Sequence, residues 1–255
     1  MDRRAFIPTY AISLADAEAR RRNMAARLAA AGVPFRFFDA VDGRSQRLPD
    51  TIDGARVVRT LFQTEAILAC TASHRLLHRV IAQGEAETAL ILEDDATIPR
   101  DFVDIVEQAL AFEFDVFKLE GINVSKRRIT VGRVGRYDVI ITNRPSVGAA
   151  AYLLRRNAAR RICSLPVIDQ TSDSVFQDTR LRLRVLEMSP FCVQQDGATE
   201  TQLLHAPNQA FVPENQRSIK RMIRSIKRKI ALASIYGPTV LARLEFQRIE
   251  RWINR

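Results

Sequence analysis

The apolar positions change period along the chain, and the changes mark the elements. Tyr10 to Leu14 form a short apolar run, which predicts a buried strand. ADAEARRRNMAARLAAAG follows, an Ala- and Arg-rich helical stretch stopped by Gly32. A second apolar run, VPFRFFDAV, ends at the turn signal Asp42-Gly43. Strand, helix and strand in that order predict a parallel pair, with ligands at the carboxyl ends of the strands. Arg44 to Asp53 read as a polar loop. Ile67, Leu68, Thr71, Leu76, Leu77, Val80 and Ile81 then recur at helical spacing, predicting a helix over 64–83 that ends at Gly84. Ala89 to Leu92 form a buried strand, Asp101 to Phe112 a helix, and FDVFKLEG a further strand. Asn123 to Tyr137, basic and Gly-containing, reads as a mobile hairpin or loop. SVGAAAYLLRRNAARRICSL is a strand entering a helix, and PVIDQTSDSVFQD a loop opening another.

The last 40 residues differ from the rest. From Gln216 to Arg255 there are eleven Lys and Arg against two Glu, so nine of the ten net positive charges sit there. Met222, Ile223, Ile226 and Ile230 recur at three and four residues, with Arg217, Lys220, Arg221, Arg224, Lys227, Arg228 and Lys229 between them. This is an amphipathic cationic helix. Gly237 and Pro238 interrupt it, and Leu241 to Ile253, with Trp252, resumes the pattern. The chain divides into a nearly neutral globule, 1–215, and a basic helical tail, 216–255. Such tails suit an anionic membrane surface. The apolar stripe could instead pack on the body. Nucleic acid is disfavoured, because aromatics do not interleave the basic run.

The opening lacks the apolar core of a secretory signal, and no stretch approaches the roughly 18 apolar residues of a membrane span. Cys70, Cys163 and Cys192 are odd in number, far apart and without a C-x-x-C pair. They predict neither a disulfide framework nor a zinc knuckle, and a reducing, cytoplasmic location follows. HRLLH, with His74 and His78, lacks the Glu of a zinc-protease motif. His78 reads as helix surface, and His205 has no assigned role.

Glu93, Asp94 and Asp95 directly follow a buried strand. Alternate residues of an extended segment share a face, so Glu93 and Asp95 project together while Asp94 points elsewhere. Two hard oxygen ligands suit Mn²⁺ or Mg²⁺ held jointly with substrate phosphates. A solvated acidic loop is the competing reading, against which the position at the end of a buried strand argues. A metal-dependent phosphodiester hydrolase would need further His or acidic ligands, and none is evident.

At this point the chain resembles glycosyltransferase family 25, the bacterial lipopolysaccharide and lipooligosaccharide sugar transferases. The resemblance rests on ILEDDAT from Ile91, CTASH from Cys70 to His74, ISL at Ile12 to Leu14, the arginines within 20–22, FFDAVDG from Phe37, and GAAAYLLRRNAARRI from Gly148. It covers roughly residues 8 to 195. One motif departs: where the family has Glu-x-Gly-Cys, this chain reads EAILAC, with Ile67 and Ala69 in place of Glu and Gly and Glu65 displaced by two positions.

The resemblance implies an α/β, GT-A-like nucleotide-binding fold with a mainly parallel sheet, and a transferase that inverts the anomeric carbon in one displacement. It implies a UDP-sugar donor carrying galactose or glucose, and a lipopolysaccharide core or lipid-linked glycan acceptor. The enzyme would then sit peripherally on the inner face of the inner membrane. Glu93 and Asp95 become the metal ligands. Ser13, Leu14, Arg21, Arg22, Asp39, Asp42 and Asp94 are the expected donor contacts; arginines suit phosphates and strand-end carboxylates suit ribose or uracil. Ser73, His74, Gly148 and Tyr152 are placed near the acceptor or substrate. Asp173 is the expected catalytic base and Asp169 the second candidate. Asp173 could equally cap the helix after it, and Arg21 and Arg22 could be a solvated helix face. An inactive, family-like basic module binding anionic membrane or nucleic acid is the alternative function.

Overall fold

The computed structural model describes residues 7–44, 47–59, 63–122, 127–196 and 214–253. The strands are β1 (Thr9–Ser13), β2 (Arg36–Asp39), β3 (Thr51–Ile52), β4 (Ala55–Val57), β5 (Thr88–Glu93), β6 (Ala96–Thr97), β7 (Val116–Lys118), β8 (Arg128–Val134), β9 (Tyr137–Thr142), β10 (Ala151–Arg155), β11 (Val167–Ile168), β12 (Val185–Ser189) and β13 (Gln194–Gln195). The helices are α1 (Glu18–Ala30), α2 (Glu65–Gln83), α3 (Phe102–Ala109), α4 (Arg156–Cys163), α5 (Glu214–Tyr236) and α6 (Pro238–Ile253).

Eight strands form one mixed sheet in the order β2-β1-β5-β10-β7-β12-β9-β8. β10 and β9 run against the other six, so the sheet is mainly parallel in direction. β1 and β2 pair in parallel, as the strand, helix, strand pattern predicts. Gly32 ends the first helical stretch at φ +68°, a conformation that costs glycine little. Thr64 caps α2 by accepting from the Ile67 N–H.

The alternation of β5 divides the core. Leu90 and Leu92 face α1 and α3 with Met24, Leu28, Phe102 and Ile105. Ala89 and Ile91 face α2 and α4 with Leu77, Ile81 and Ile162. Each fully buried Leu or Ile contributes about 1.5–3 kcal/mol. Both faces of the sheet are thus covered, and its strand ends are the edge left for chemistry.

One expectation is resolved and another changes. Of the hairpin and the loop expected for this segment, residues 127–137 take the hairpin: β8 pairs with β9 and extends the sheet to its edge, because Ile129 and Val134 have a buried face to fill. Residues 123–126 lie outside the described residues. The expected polar loop, Arg44 to Asp53, contains the short strand β3, which Asp53-Gly54 turns into β4, and β11 completes a small second sheet.

The carboxyl-terminal helices pack on the far end of the sheet. Leu244 is fully buried and clusters with Ile129 and Leu232. The Tyr236 hydroxyl donates to the Val185 carbonyl at 2.8 Å and accepts its N–H at 2.7 Å. Arg127 and Lys229 both pair with Glu245. His205 and the side chains of Arg217, Lys220, Arg221, Met222, Arg224 and Trp252 lie outside what the structure describes. Among the described residues no helix is long and apolar enough to cross a membrane.

Candidate active site

The carboxyl ends of β1, β2 and β5 lie side by side, with Ser13 opposite Asp39 and Ile12 opposite Glu93. The acidic triplet is split across the sheet. Glu93 continues the face of Ile91 and meets α2, where its Oε1 lies 3.0 Å from His74 Nε2. Asp94 continues the face of Leu92 and meets α1. It is buried, accepting from Ser13 Oγ at 2.6 Å and from Arg20 at 3.1 Å.

Asp95 follows the strand in the turn before β6. Gln195, on the paired strand β13, donates to its Oδ2 at 3.3 Å, while Oδ1 is buried without a hydrogen-bond partner. Burial, then the charges of Glu93 and Asp94, push the Asp95 carboxyl up to about 6. An acid so placed is a ready ligand for a cation. Asp94 has both oxygens bound, by Ser13 and Arg20, whereas Asp95 keeps Oδ1 unpartnered and Glu93 is held through Oε1 alone, so the chemistry of the set fits Mn²⁺ or Mg²⁺ at Glu93 and Asp95.

Glu120 joins this group and was missed in the sequence. It lies two residues beyond β7 and is buried, with Oε2 accepting the Ala150 N–H at 3.0 Å. Burial pushes its carboxyl up to about 7, with Glu93 and Asp95 adding to the rise against Lys118. The signal was present: FDVFKLEG delivers an acid to the end of an apolar strand, as ILEDD does.

Asp173 is not a cap. No side-chain cap bond forms at the short 3₁₀ turn Ser174–Gln177. Its Oδ2 accepts the Gly148 N–H at 2.8 Å and its Oδ1 accepts from Thr171 Oγ. Burial opposes its charge, but these bonds and Lys118 hold its carboxyl below the usual range. Lys118, fully buried, donates to the Ser146 and Gly148 carbonyls, gripping the same loop from the other side. Asp169 is exposed and lines a cleft with Thr71, His74, Thr171 and Ser172.

His78 corrects an expectation: it is buried, not surface. Its Nε2 lies 2.7 Å from the Tyr152 hydroxyl, whose oxygen is also 2.8 Å from His74 Nδ1. A row of four groups, His78, Tyr152, His74 and Glu93, therefore runs from the core to the strand edge. Tyr152 has no exposed surface, and its hydroxyl meets His74 and His78, both of which line that cleft. Burial holds His78 well below the usual imidazole range. Burial works against charge on His74 too, yet Tyr152, Cys70 and Glu93 carry it well above that range.

The remaining predicted donor contacts are tied into the protein. Arg21 donates to the carbonyls of Ser13 and Leu14, pairs with Asp39 and lies over the Phe37 ring. Arg22 pairs with Glu18 in solvent. Asp42 accepts from the Arg44 backbone and guanidinium, which hold its carboxyl at about 2. Ser73 Oγ accepts the Val41 N–H and donates to the Ala69 carbonyl, pinning the segment after β2 to α2. The arginine that reaches the acidic cluster is Arg20. It shares the inward face of α1 with Met24, Arg27 and Leu28.

Ala69, at the departing motif, packs against that same segment. A Cβ placed at Gly43 would meet Ala69 Cβ at 2.7 Å and the Glu65 carbonyl at 2.6 Å, so Gly43 is what lets the chain pass. Glu65 turns outward, accepting the Leu48 N–H and pairing with Arg59.

The sequence profile of glycosyltransferase family 25 (LPS biosynthesis protein) matches residues 6–167. The chain belongs to this family. Its members being glycosyltransferases, the strand-end acids sit in a sugar-transferring enzyme. No curated protein matches the chain. Among solved structures it is similar to S. aureus TarS 1–349 in complex with UDP-GlcNAc, at 13% identity, covering 90% of this chain and 71% of that one with a TM-score of 0.40. It is also similar to a Bacillus anthracis protein described as a glucose-1-phosphate thymidylyltransferase, in complex with a sucrose, at 14% identity, covering 80% and 78% with a TM-score of 0.37.

Proposed function

We propose that this family 25 enzyme transfers a hexose, galactose or glucose, from a UDP-sugar to a lipopolysaccharide core or related glycan, with inversion and with Mn²⁺ or Mg²⁺ as cofactor. The observation that carries the metal and the diphosphate is Asp95 Oδ1, buried, unpartnered and raised in pKa beside Glu93 at the end of a mainly parallel sheet. A bound divalent cation there would neutralise charge developing on the departing diphosphate.

The chain supplies the rest. Asp94, with Ser13 and Arg20, fixes the strand end that presents Glu93 and Asp95. Main-chain groups of Leu14 and of the segment after β2 border this edge and suit the nucleoside. Two carboxylates compete to accept the proton of the acceptor hydroxyl. The family resemblance favours Asp173, fixed beside Gly148. Titration favours Glu120, because a base poised near neutral pH takes a proton more readily than one held low.

The carboxyl-terminal helices extend the proposal to an anionic membrane surface on the cytoplasmic side. Ile223, Ile226 and Ile230 are exposed on one side of α5, next to exposed Lys227. Each basic residue at such a surface contributes about 1 kcal/mol. A lipid-linked acceptor would be met there.

The deciding experiment measures thermal stability with UDP-galactose, UDP-glucose and UDP-N-acetylhexosamines, each with and without Mn²⁺, for the wild type, Glu93→Ala and Asp95→Ala. Metal-dependent stabilisation by one donor, lost in both variants, supports the reading and names the sugar. No shift with any donor removes it.

A further inference from the structure

Cys70 and His74 lie one turn apart on α2 and so share a face, and Glu93 ends the strand beneath them. One ligand atom from each, Sγ, an imidazole nitrogen and a carboxylate oxygen, falls within 4.8 Å of the others. Two of them, His74 Nε2 and Glu93 Oε1, are 3.0 Å apart. A tetrahedral Zn²⁺ with bonds of about 2.0–2.3 Å sets its ligands roughly 3.3–3.7 Å apart, so modest side-chain movement closes the set around an ion.

The surroundings resemble those of a ligand rather than of a chance trio. His74 keeps Nε2 toward the cluster because Nδ1 is engaged by the Tyr152 hydroxyl, which His78 holds in turn. An outer partner on the second ring nitrogen is what fixes an imidazole for metal binding. Cys70 is only partly buried, and its Sγ lies 3.7 Å from Ser172 Oγ at the cleft that His74 and Ser172 both line. A fourth ligand can therefore enter from solvent.

Sulfur, nitrogen and oxygen together favour a borderline-soft cation over the hard Mn²⁺ and Mg²⁺ that suit Glu93 with Asp95. We propose that Cys70, His74 and Glu93 form a Zn²⁺ site with an open fourth position on the cleft, and that filling it withdraws Glu93 from the nucleotide-sugar edge. Zn²⁺ is then an inhibitor of the enzyme. The inhibition rests on the proposed function; the binding does not.

Co²⁺ separates the two. The metal-stripped full-length chain is titrated with Co²⁺ while the near-ultraviolet thiolate-to-cobalt absorption and the visible tetrahedral bands are followed. One equivalent should saturate both, and Zn²⁺ should bleach them. Cys70→Ser should abolish the thiolate band, whereas Asp95→Asn should retain it. Absence of the band in the wild type overturns the site without recourse to any variant, and so does its persistence in Cys70→Ser, which would place the metal on another cysteine. With the site established, Zn²⁺ should reduce the Mn²⁺-dependent stabilisation by donor in the wild type and not in Cys70→Ser. Equal sensitivity in both overturns the inhibition. A cobalt band in a chain that no UDP-sugar stabilises would leave the site standing and remove the UDP-sugar reading.

Discussion

Ser13 Oγ donates to Asp94 Oδ2 at 2.6 Å, a buried bond between residues 81 apart that ties the end of β1 to the end of β5. It makes the middle acid of the triplet part of the frame. Removing one partner of a buried hydrogen bond to a charged group costs about 1–3 kcal/mol. Ser13→Ala and Asp94→Asn should each lose that much stability in urea unfolding, and the double variant should lose less than the sum. Strict additivity would show that the two residues are not coupled.

Asp95 should behave in the opposite way. Its carboxyl is raised from the usual range to about 6, so the folded state binds its proton more tightly than the unfolded chain does. The resulting destabilisation is absent below about pH 4, develops as pH rises, and is complete above 6. Without metal, Asp95→Asn should stabilise the protein by about 3 kcal/mol at pH 8, with the gain fading toward pH 4. The same variant should lose stabilisation by Mn²⁺ with donor. A variant equally stable to wild type at both pH values would mean that Oδ1 is not buried in solution.

The pH dependence of kcat distinguishes the two candidate bases. Glu120, with its carboxyl at about 7, gives a rate that rises through neutral pH as the proton leaves, and Glu120→Gln should remove that limb together with about 10²–10⁴-fold in rate. Asp173, held low by Thr171 and Gly148, would already be ionised at pH 6. A profile flat above pH 6, with the large loss confined to Asp173→Asn, assigns the base to Asp173.

Gly148 stands between these carboxylates at φ +98°, and a Cβ there would lie 2.7 Å from both Glu120 oxygens. Gly148→Ala combines backbone strain of about 1–3 kcal/mol with displacement of Glu120. The melting temperature should fall, and the neutral limb of the pH profile should shift as Glu120 moves. A fall in stability with an unmoved limb would show that Glu120 is not the group that titrates.

How much of this was legible depends on whether periodicity or pairing carries the information. β1, α1, β2, α2, β5, α3, β7, β10 and α4 followed in order from apolar spacing, whereas the short strands β3, β4 and β6 and the strand β9 did not; ILEDD marked the sheet edge because a buried strand must end somewhere. Alternation placed Glu93 and Asp94 on opposite faces. It could not say that the strand stops at Glu93, which leaves Asp95 in a turn beside Gln195. His78 was assigned to the surface because polarity was weighed above position; Arg75, His74 and His78 sit on a face of α2 that packs against β10 and α4. Glu120 obeyed the same rule as the triplet and was overlooked because it stands alone. Arg20 lay in the stripe of Met24 and Leu28, but helical spacing does not reveal that its guanidinium folds back to Asp94.

The carboxyl-terminal helices carry two separable apolar sets. Leu244 has no exposed surface and packs against Ile129 and Leu232, whereas Ile226 and Ile230 are 49% and 61% exposed. Cutting Leu244 back to Ala should destabilise the docked helices by about 2–5 kcal/mol, because it opens a cavity against β8. Ile226→Asp with Ile230→Asp should leave the melting temperature within about 1 °C, since neither side chain fills a buried space. The same pair should weaken sedimentation with anionic phospholipid vesicles severalfold, and high salt should weaken it further for both proteins. If the aspartate variant bound vesicles as well as the wild type, the exposed isoleucines would have no part in membrane contact, and the basic residues would have to act through charge alone.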